Sequence, residues 1–214
     1  MKRILDILIA TTLMLIFLPL GGILAFIIWF ETGLNPIFIQ RRGITFEKGV
    51  FRIYKLRTMY AIPAESKGSD RSITEKSWLE KYITPVGKWL RKTGIDELPQ
   101  LLNVIKGDMS FVGPRPLQES DLQLLKENYP ELYAKRSSLK SKPGITGYWQ
   151  IFGDREAGAQ NIVELDFYYE QNHSFWMDIF IGLETLPVIL FARHFDAVSF
   201  ERVRKIEIKE IPER

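Results

Sequence analysis

The pattern of hydrophobic and polar positions begins with one long apolar stretch near the N-terminus. No charged residue occurs from Ile7 to Phe30, and roughly 24 apolar positions in a row can cross a hydrocarbon core of about 30 Å as a helix. A cleaved signal peptide has a shorter core that ends in small residues, whereas this stretch ends in Trp29 and Phe30. The pattern therefore predicts a helix that stays in the membrane.

Two arrangements of this helix are open: a straight transmembrane span, and a re-entrant helix that enters and leaves the membrane on one face. Pro19 lies in the middle of the stretch, where a proline removes a backbone donor and kinks a helix. Basic pairs stand on both sides, Lys2-Arg3 before it and Arg41-Arg42 after it. The positive-inside tendency favours both ends on the cytoplasmic side, which only the re-entrant arrangement allows.

Asp6 lies one turn inside the same helix. At this spacing we expect its carboxylate at the level of the lipid headgroups, paired with Arg3. The predicted anchor spans residues 1–35, and residues 36–214 form a domain on the cytoplasmic face. The anchor residues are Lys2, Arg3, Asp6 and Pro19.

Behind the anchor, alternation and turn residues predict a small β-hairpin. Residues 31–43 are interpreted as a connector and residues 44–59 as the hairpin, with its turn at residues 47–49 and its second strand at residues 51–57. Residues 142–147, Lys-Pro-Gly-Ile-Thr-Gly, are interpreted as a tight turn with exposed backbone N–H groups.

The remaining spacing is helical. It predicts a helix over residues 75–92 with a break near Pro85, a polar helix over residues 118–139 that breaks near Pro130, and an apolar helix over residues 175–191. Tryptophan, tyrosine and lysine on the first helix suit a membrane interface, and they suit a surface helix packed on a core equally well. The predicted fold class is mainly α with a small β-hairpin (α+β), with a re-entrant membrane helix and interfacial amphipathic helices.

Composition narrows the chemistry. The chain has no cysteine, which excludes disulfides and thiol catalysis, and its two histidines have no neighbouring ligand pattern, which disfavours a zinc site. Neither a GxxxxGK[ST] loop, a GxGxxG fingerprint nor a GxSxG motif occurs, which disfavours P-loop, Rossmann and α/β-hydrolase enzymes. A net charge of +3 does not by itself indicate nucleic acid as a partner.

Residues 96–116 carry the most specific chemistry. Asp96 and Glu97 open a short apolar helix, and Arg115 follows between two prolines. Carboxylates suit attack on phosphorus or metal binding, and a guanidinium suits phosphoryl oxygens. The plainer interpretation makes Asp96 the N-cap of a helix that starts at Glu97, with Arg115 in a rigid surface turn. Beside a membrane helix, the pattern points to phosphoryl transfer at a membrane surface.

Four further charged residues have two interpretations each. Strand alternation places Lys55 and Arg57 on the same face of the hairpin, and Arg91 precedes the acidic pair. These three are either surface charges or phosphate ligands. Asp166 is either a carboxylate of the site or part of a solvated helix face.

Taken together, these residues resemble the bacterial sugar transferase family, the small monotopic phosphoglycosyl transferases that begin envelope glycan assembly. The resemblance runs almost end to end and is strongest over residues 96–116. The other matching motifs are Lys2-Arg3 with Asp6, the proline-broken helix, residues 35–38, 54–59 and 90–93, residues 142–147 with Gln150, Asp166 with Tyr169, and residues 172–174 with Asp178.

The resemblance implies a reaction, a metal and a location. Members transfer a phosphosugar from a UDP-sugar to polyprenol (undecaprenyl) phosphate, giving polyprenol diphosphate–sugar and UMP. They depend on Mg²⁺ and are thought to work by a ping-pong route through a covalent Asp–phosphosugar intermediate. The anchor is then a re-entrant helix in the bacterial inner membrane, with the active site on the cytoplasmic face. The implied partners are the UDP-sugar, the polyprenol phosphate and membrane lipids.

Residue by residue, the resemblance makes Asp96 the nucleophile and Glu97 its assistant in metal or proton handling, with both as Mg²⁺ ligands. The implied substrate- and phosphate-binding residues are Lys55, Arg57, Arg91, Arg115 and Asp166.

The chain departs from the family pattern in two places. Arg41 stands where members often carry an acidic residue, and residues 152–156 replace a Gly-Arg pair that many members have. The larger members' extra membrane domain has no counterpart here, so a minimal catalytic unit is expected, with a homodimer through residues 175–191 as an open possibility. Two other functions stay open: a non-catalytic membrane-surface scaffold for glycan assembly enzymes, and a glycosyltransferase that releases UDP, for which no Asp-x-Asp motif is present.

Overall fold

The computed structural model describes residues 2–62, 80–153 and 158–190. Their secondary structure is mostly helical, with two small sheets, which confirms the predicted mainly-α class. In chain order the elements are α1 (Lys2–Thr32), β1 (Ile37–Gly43), β2 (Val50–Leu56), α2 (Pro85–Thr93), a 3₁₀ helix (Ile95–Gln100), α3 (Leu101–Lys106), β3 (Ser110–Val112), β4 (Leu117–Gln118), α4 (Glu119–Asn128), α5 (Pro130–Ser137), β5 (Gly144–Thr146), α6 (Tyr148–Phe152), α7 (Gly158–Asn172) and α8 (Phe175–Leu190).

The first sheet has the strand order β2-β1-β4 and is antiparallel. The predicted second strand of the hairpin is confirmed as β2, and the turn ends at Gly49 with a positive φ of 91°. The prediction that the first strand follows residue 43 is wrong, because β1 occupies Ile37–Gly43 within the predicted connector. Only part of β1 is buried, so the alternation of apolar and polar residues that marks a strand is weak there.

The second sheet pairs β3 with β5 in parallel. The prediction of a tight turn with exposed N–H groups over residues 142–147 is therefore wrong. The Gly113 N–H donates to the Thr146 carbonyl at 3.0 Å, and the Gly144 N–H donates to the Pro114 carbonyl at 3.0 Å. A Cβ on Gly144 would lie 2.2 Å from the Gly113 nitrogen, so these two backbone segments can approach this closely only because glycine has no side chain.

The predicted helices appear with corrected ends. The predicted break near Pro85 is confirmed, because residues 80–82 form a 3₁₀ turn, residues 83 and 84 are not helical, and Pro85 starts α2. The Thr84 hydroxyl caps α2 by accepting from the Gly87 N–H at 2.8 Å. The predicted start of that helix, residues 75–79, lies outside the described residues. The predicted break at Pro130 is confirmed between α4 and α5, and the apolar helix over residues 175–191 is confirmed as α8.

The long N-terminal helix α1 is confirmed, with Pro19 inside it. Of the described helices, it alone is long and apolar enough to cross a membrane by length and composition. Ala10 packs with Leu101 and Val104 of α3, whereas Leu24 and Ile28, nearer the other end, pack in a separate cluster. Both halves of α1 therefore contact the same body, and its re-entrant course stays a prediction at this point.

The predicted ion pair between Asp6 and Arg3 is wrong, because the two side chains find different partners. Asp6 is buried and accepts from the Ser110 hydroxyl at 2.7 Å and the Phe111 N–H at 3.2 Å. Arg3 donates to the carbonyls of Val104 and Ile105 in the last turn of α3, where helix carbonyls lack partners and favour a cation.

Lys2 forms a junction between three elements. Its ammonium group donates to Asp178 of α8 at 2.6 Å, to the Tyr169 hydroxyl of α7 at 2.9 Å and to the Val112 carbonyl of β3 at 3.0 Å. Tyr169 in turn donates to Asp178 at 2.7 Å. The start of α1 is thus attached to the strand that leads to Arg115.

Candidate active site

The acidic pair lies at the start of the 3₁₀ helix, directly after α2. Gly94 connects the two helices with a φ of 72°, a left-handed conformation that glycine adopts easily. The helix begins at Ile95, so the interpretation of Asp96 as the N-cap of a helix starting at Glu97 is wrong. Asp96 and Glu97 expose only 5% and 8% of their surface, so both carboxylates are held at a site largely shielded from water.

Glu97 is paired with Lys55 of β2. The Lys55 ammonium donates to Glu97 Oε1 at 2.5 Å, and both side chains are about nine-tenths buried. A buried charge is tolerated only when it is paired, and removing one partner of such a pair is costly. Lys55 therefore holds the Glu97 side chain beside Asp96, and the structure brings together three of the predicted site residues.

Arg115 occupies a turn whose backbone is held on both sides by one buried ion pair. Asp166 accepts from the Arg115 N–H at 3.0 Å, and Arg136 donates to the Arg115 carbonyl at 2.6 Å. Arg136 and Asp166 bond to each other at 2.6 Å and are 0% and 1% exposed. We refer to this pair as the Arg136–Asp166 clamp.

Burial raises the pKa of Asp166 to about 6, although Arg136 and the Arg115 N–H both favour the charged form. The resemblance implies that Asp166 lines the site. The structure instead encloses it in the clamp, where it contacts the backbone of Arg115.

The side chain of Arg115 lies against an aromatic ring. Its guanidinium carbon is 4.1 Å from the centroid of the Trp149 ring, a distance suited to a cation–π interaction. Both residues line a small cleft together with Glu97, Gln100 and Arg42. The backbone clamp and the Trp149 ring thus hold one guanidinium at the cleft that Glu97 also lines.

Of the predicted substrate- and phosphate-binding residues, only Arg115 lines this cleft, and the predicted nucleophile Asp96 is adjacent to the lining residue Glu97 without lining the cleft itself. The other four, Lys55, Arg57, Arg91 and Asp166, also lie outside the lining. The Arg91 Nε donates to the Thr58 hydroxyl at 2.8 Å. The Arg57 Nε donates to the Asn35 carbonyl at 2.7 Å, and its guanidinium lies 5.7 Å from the Phe38 ring centroid. Arg57 therefore attaches the segment that follows α1 to the hairpin.

Sequence reasoning missed four residues of this arrangement: Arg42, Gln100, Arg136 and Trp149. Arg136 lies in a polar helix whose sequence gives no sign of burial. Arg42 carried a signal, since a correct register of β1 and β2 puts it on the same face as Lys55, but that register depends on placing β1 correctly. Residue 155, within the segment that departs from the family pattern, lies outside the described residues.

Several of the described helices expose large apolar side chains. Over residues 175–185, where its side chains are described, α8 exposes the large apolar residues Phe175, Trp176, Ile179, Phe180 and Leu183. The α2 side chain Trp89 is 47% exposed, and Leu15, Ile16 and Leu18 in the middle of α1 are each more than 60% exposed. Apolar exposure on this scale is typical of a surface that contacts a membrane or a partner.

Comparison with known proteins places this geometry in context. Residues 1–192 match the family model described as bacterial sugar transferase. The exopolysaccharide production protein ExoY of Rhizobium meliloti is 35% identical over 203 residues, which cover 90% of this chain and 86% of that protein.

Two further relatives have names that state a reaction. The UDP-glucose:undecaprenyl-phosphate glucose-1-phosphate transferase of Caulobacter vibrioides is 39% identical, over 88% of this chain and 69% of that protein. The undecaprenyl-phosphate galactose phosphotransferase of Salmonella typhimurium is 33% identical, over 89% of this chain but only 40% of its own length.

Proposed function

The chain belongs to the bacterial sugar transferase family, and on that premise we propose that it transfers a sugar phosphate from a UDP-sugar to undecaprenyl phosphate, with release of UMP. Relatives over most of the chain are named for this reaction with glucose and with galactose. The observation that carries the proposal is the cleft in which Glu97, paired with Lys55 and adjacent to Asp96, faces the clamped Arg115. Carboxylate and guanidinium groups in this arrangement suit phosphoryl transfer.

The proposed chemistry consists of two successive displacements at the same phosphorus atom. A carboxylate oxygen of Asp96 attacks the sugar-linked phosphorus, a phosphorus–oxygen bond forms, and the bond to the bridging oxygen breaks so that UMP leaves with the electron pair. A phosphate oxygen of the polyprenol phosphate then attacks the same phosphorus and releases the Asp96 carboxylate. Splitting one difficult displacement into two is the advantage of a covalent route.

The surrounding residues support these roles. Burial of Asp96 strips water from the nucleophile, and Lys55 keeps Glu97 in place beside it. Arg115 would bind the phosphoryl oxygens from a backbone that is fixed before substrate arrives, which is the condition for electrostatic stabilisation without reorganisation.

The donor set also fits a magnesium ion. Asp96 and Glu97 would hold it, because carboxylate oxygens are preferred ligands of Mg²⁺ and one or two usually suffice when water and substrate phosphates supply the rest. A bound magnesium ion would neutralise charge on the phosphoryl oxygens.

For the membrane helix we propose the re-entrant course, with both ends of α1 on the cytoplasmic face. Lys2 contacts β3 and α8 of the folded body, and Ile28 packs with Leu56 and Leu90 of the same body. A helix that crossed the bilayer would carry one of these ends to the other side, away from its contacts. The exposed apolar middle of α1 would then be the part that enters the lipid.

Labelling tests this course, because the chain contains no cysteine and a single one can be introduced without background. We expect a cysteine in Arg41→Cys and a protease site in a tag before residue 1 to react only from the cytoplasmic side of membrane vesicles. A tag cleaved from the outside would contradict the proposal.

The reaction is tested by identifying the nucleotide that purified protein releases when Mg²⁺ and polyprenol phosphate are present with each of several UDP-sugars. We expect UMP from one or two sugars, and loss of that release in Asp96→Asn with the thermal midpoint retained. Release of UDP would mean plain glycosyl transfer and would remove the role given to Asp96. If the purified protein releases neither nucleotide, and the Asp96→Asn variant still supports glycan assembly in cells, the protein would be a scaffold.

A further inference from the structure

Arg42 is fixed in the wall of the candidate active site by the sheet. It pairs with Phe51 of β2 on one side of β1 and with Gln118 of β4 on the other. In this register Arg42 and Lys55 belong to the same face of the hairpin, since paired and alternate residues share a face. The face that carries Lys55 to Glu97 therefore also carries Arg42 into the cleft.

The guanidinium of Arg42 has a defined position. Its Nε donates to the Gln40 side-chain oxygen at 2.9 Å, and its Nη1 donates to the Pro116 carbonyl at 3.3 Å. Pro116 directly follows Arg115, so Arg42 lies next to the turn that the Arg136–Asp166 clamp holds. A long side chain fixed at two points loses less conformational entropy when it binds a ligand.

The cleft consequently gathers two guanidinium groups that come from separate elements, Arg42 from β1 and Arg115 from the turn after β3. The carboxylate in the lining, Glu97, is already neutralised by Lys55. Two cations on one small cleft repel each other and favour an anion with more than one charge between them. Guanidinium groups bind phosphate oxygens with two parallel hydrogen bonds each, so two of them match two linked phosphates.

We propose that Arg42 is a substrate-binding residue that, with Arg115, binds the diphosphate of the nucleotide-sugar donor. This inference rests on the proposed function and names which substrate the cleft recognises. The acceptor carries a single phosphate and has less need of a second guanidinium. Arg42 therefore contributes to binding of the nucleotide-sugar donor and not to binding of the polyprenol phosphate acceptor.

Arg41 provides a matched control. It is the neighbouring residue on the same strand, carries the same charge, and lies on the other face of the hairpin opposite Arg52. Its side chain is 61% exposed and pairs with Glu119 at 3.2 Å. Arg41→Gln and Arg42→Gln thus remove the same charge from the same strand, but only Arg42→Gln removes it from the cleft.

The experiment compares wild type, Arg41→Gln, Arg42→Gln and Arg42→Lys as purified full chains. UDP binding is measured by calorimetry, and the KM values for the UDP-sugar and the polyprenol phosphate are measured separately. Loss of one charge-assisted contact is expected to weaken UDP binding and to raise the donor KM in Arg42→Gln by about 10- to 100-fold. The acceptor KM stays unchanged, Arg41→Gln behaves as wild type, and Arg42→Lys falls between the two.

Equal UDP binding by Arg42→Gln and Arg41→Gln would overturn the proposal, as would a rise confined to the acceptor KM. If Arg42→Gln fails to fold, Arg42→Lys decides: weaker UDP binding than wild type supports the proposal, and unchanged binding overturns it. The UDP comparison does not require turnover. A wild type that binds UDP but releases no UMP would refute the proposed function and leave the role of Arg42 to be judged by binding.

Discussion

Replacing Arg136 with methionine tests whether the buried clamp positions the site or only stabilises the fold. The side chain makes three hydrogen bonds from a fully buried position, to Asp166, to the Arg115 carbonyl and to the Ile44 carbonyl. Arg136→Met keeps an unbranched apolar chain in the same space but leaves the Asp166 carboxylate without its partner.

The expected loss follows from that unpaired carboxylate. Breaking a buried ion pair by removing one partner costs about 3–5 kcal/mol. In a chain of this size roughly 1 kcal/mol corresponds to about 2–4 °C in the melting temperature. We therefore expect Arg136→Met to melt roughly 6–20 °C below wild type in the same detergent.

A second substitution separates stability from positioning. Combining Arg136→Met with Asp166→Asn removes the uncompensated charge, and the amide oxygen that the second change introduces can still accept from the Arg115 N–H. We expect this double variant to regain about 2 kcal/mol or more relative to Arg136→Met, because a buried ion pair replaced as a whole costs little.

Turnover should not return with stability. The Arg115 carbonyl has lost its donor in both variants, and a displacement of about 1 Å in a catalytic group can lower the rate by roughly 100-fold. The assay is UMP release at saturating donor, measured beside the melting curve. Wild-type turnover in the stabilised double variant would refute the reasoning, and so would a melting temperature of Arg136→Met equal to that of wild type.

Three further predictions concern single sites. Lys55→Met leaves Glu97 buried and unpaired and should lower the free energy of unfolding by about 3 kcal/mol or more, and Lys55→Met with Glu97→Gln should recover most of that loss in a denaturant titration. The pKa of Asp166 is raised to about 6 from 3.8, so the folded chain binds this proton at a higher pH than the unfolded chain does. The contribution of Asp166 to the free energy of unfolding is therefore greatest below about pH 4 and is lost as the pH rises through 6. Asp166→Asn should remove this component from melting temperatures measured between about pH 4 and 7. Gly144→Ala should lower the melting temperature by at least several degrees, because its Cβ would lie 2.2 Å from the Gly113 backbone nitrogen. Gly182→Ala, inside α8 with no atom within 4 Å of the new Cβ, should not lower it, because alanine favours a helix more than glycine does.

Local signals were sufficient for some parts of the fold. The apolar run predicts α1, the glycine-marked turn predicts the start of β2, and Pro130 predicts the boundary between α4 and α5. Each of these depends on residues that are close together in sequence, so periodicity and turn chemistry are enough to detect them.

Other parts depend on contacts that no local pattern reports. The strand β5 resembles a turn in sequence because it begins at Gly144, directly after Pro143, where glycine allows a close parallel pairing with β3, more than thirty positions earlier. The clamp is similar, since Arg136 and Asp166 are 30 residues apart and each alone suits a solvated helix. For the site itself, the acidic pair and Arg115 were recognisable by type and spacing, whereas Arg42 and Trp149 became visible only through sheet register and tertiary packing.

The Lys2 junction has a consequence for the order in which the chain assembles. Lys2 is separated from its partner Asp178 by 176 residues, and at a synthesis rate of about 5–20 residues per second the partner follows roughly 9–35 seconds later. The apolar helix is therefore synthesised before α7 and α8 exist to hold its first turn. On the proposed membrane course, the last two described helices would complete the structure by packing against an N-terminal turn that precedes them by most of the chain.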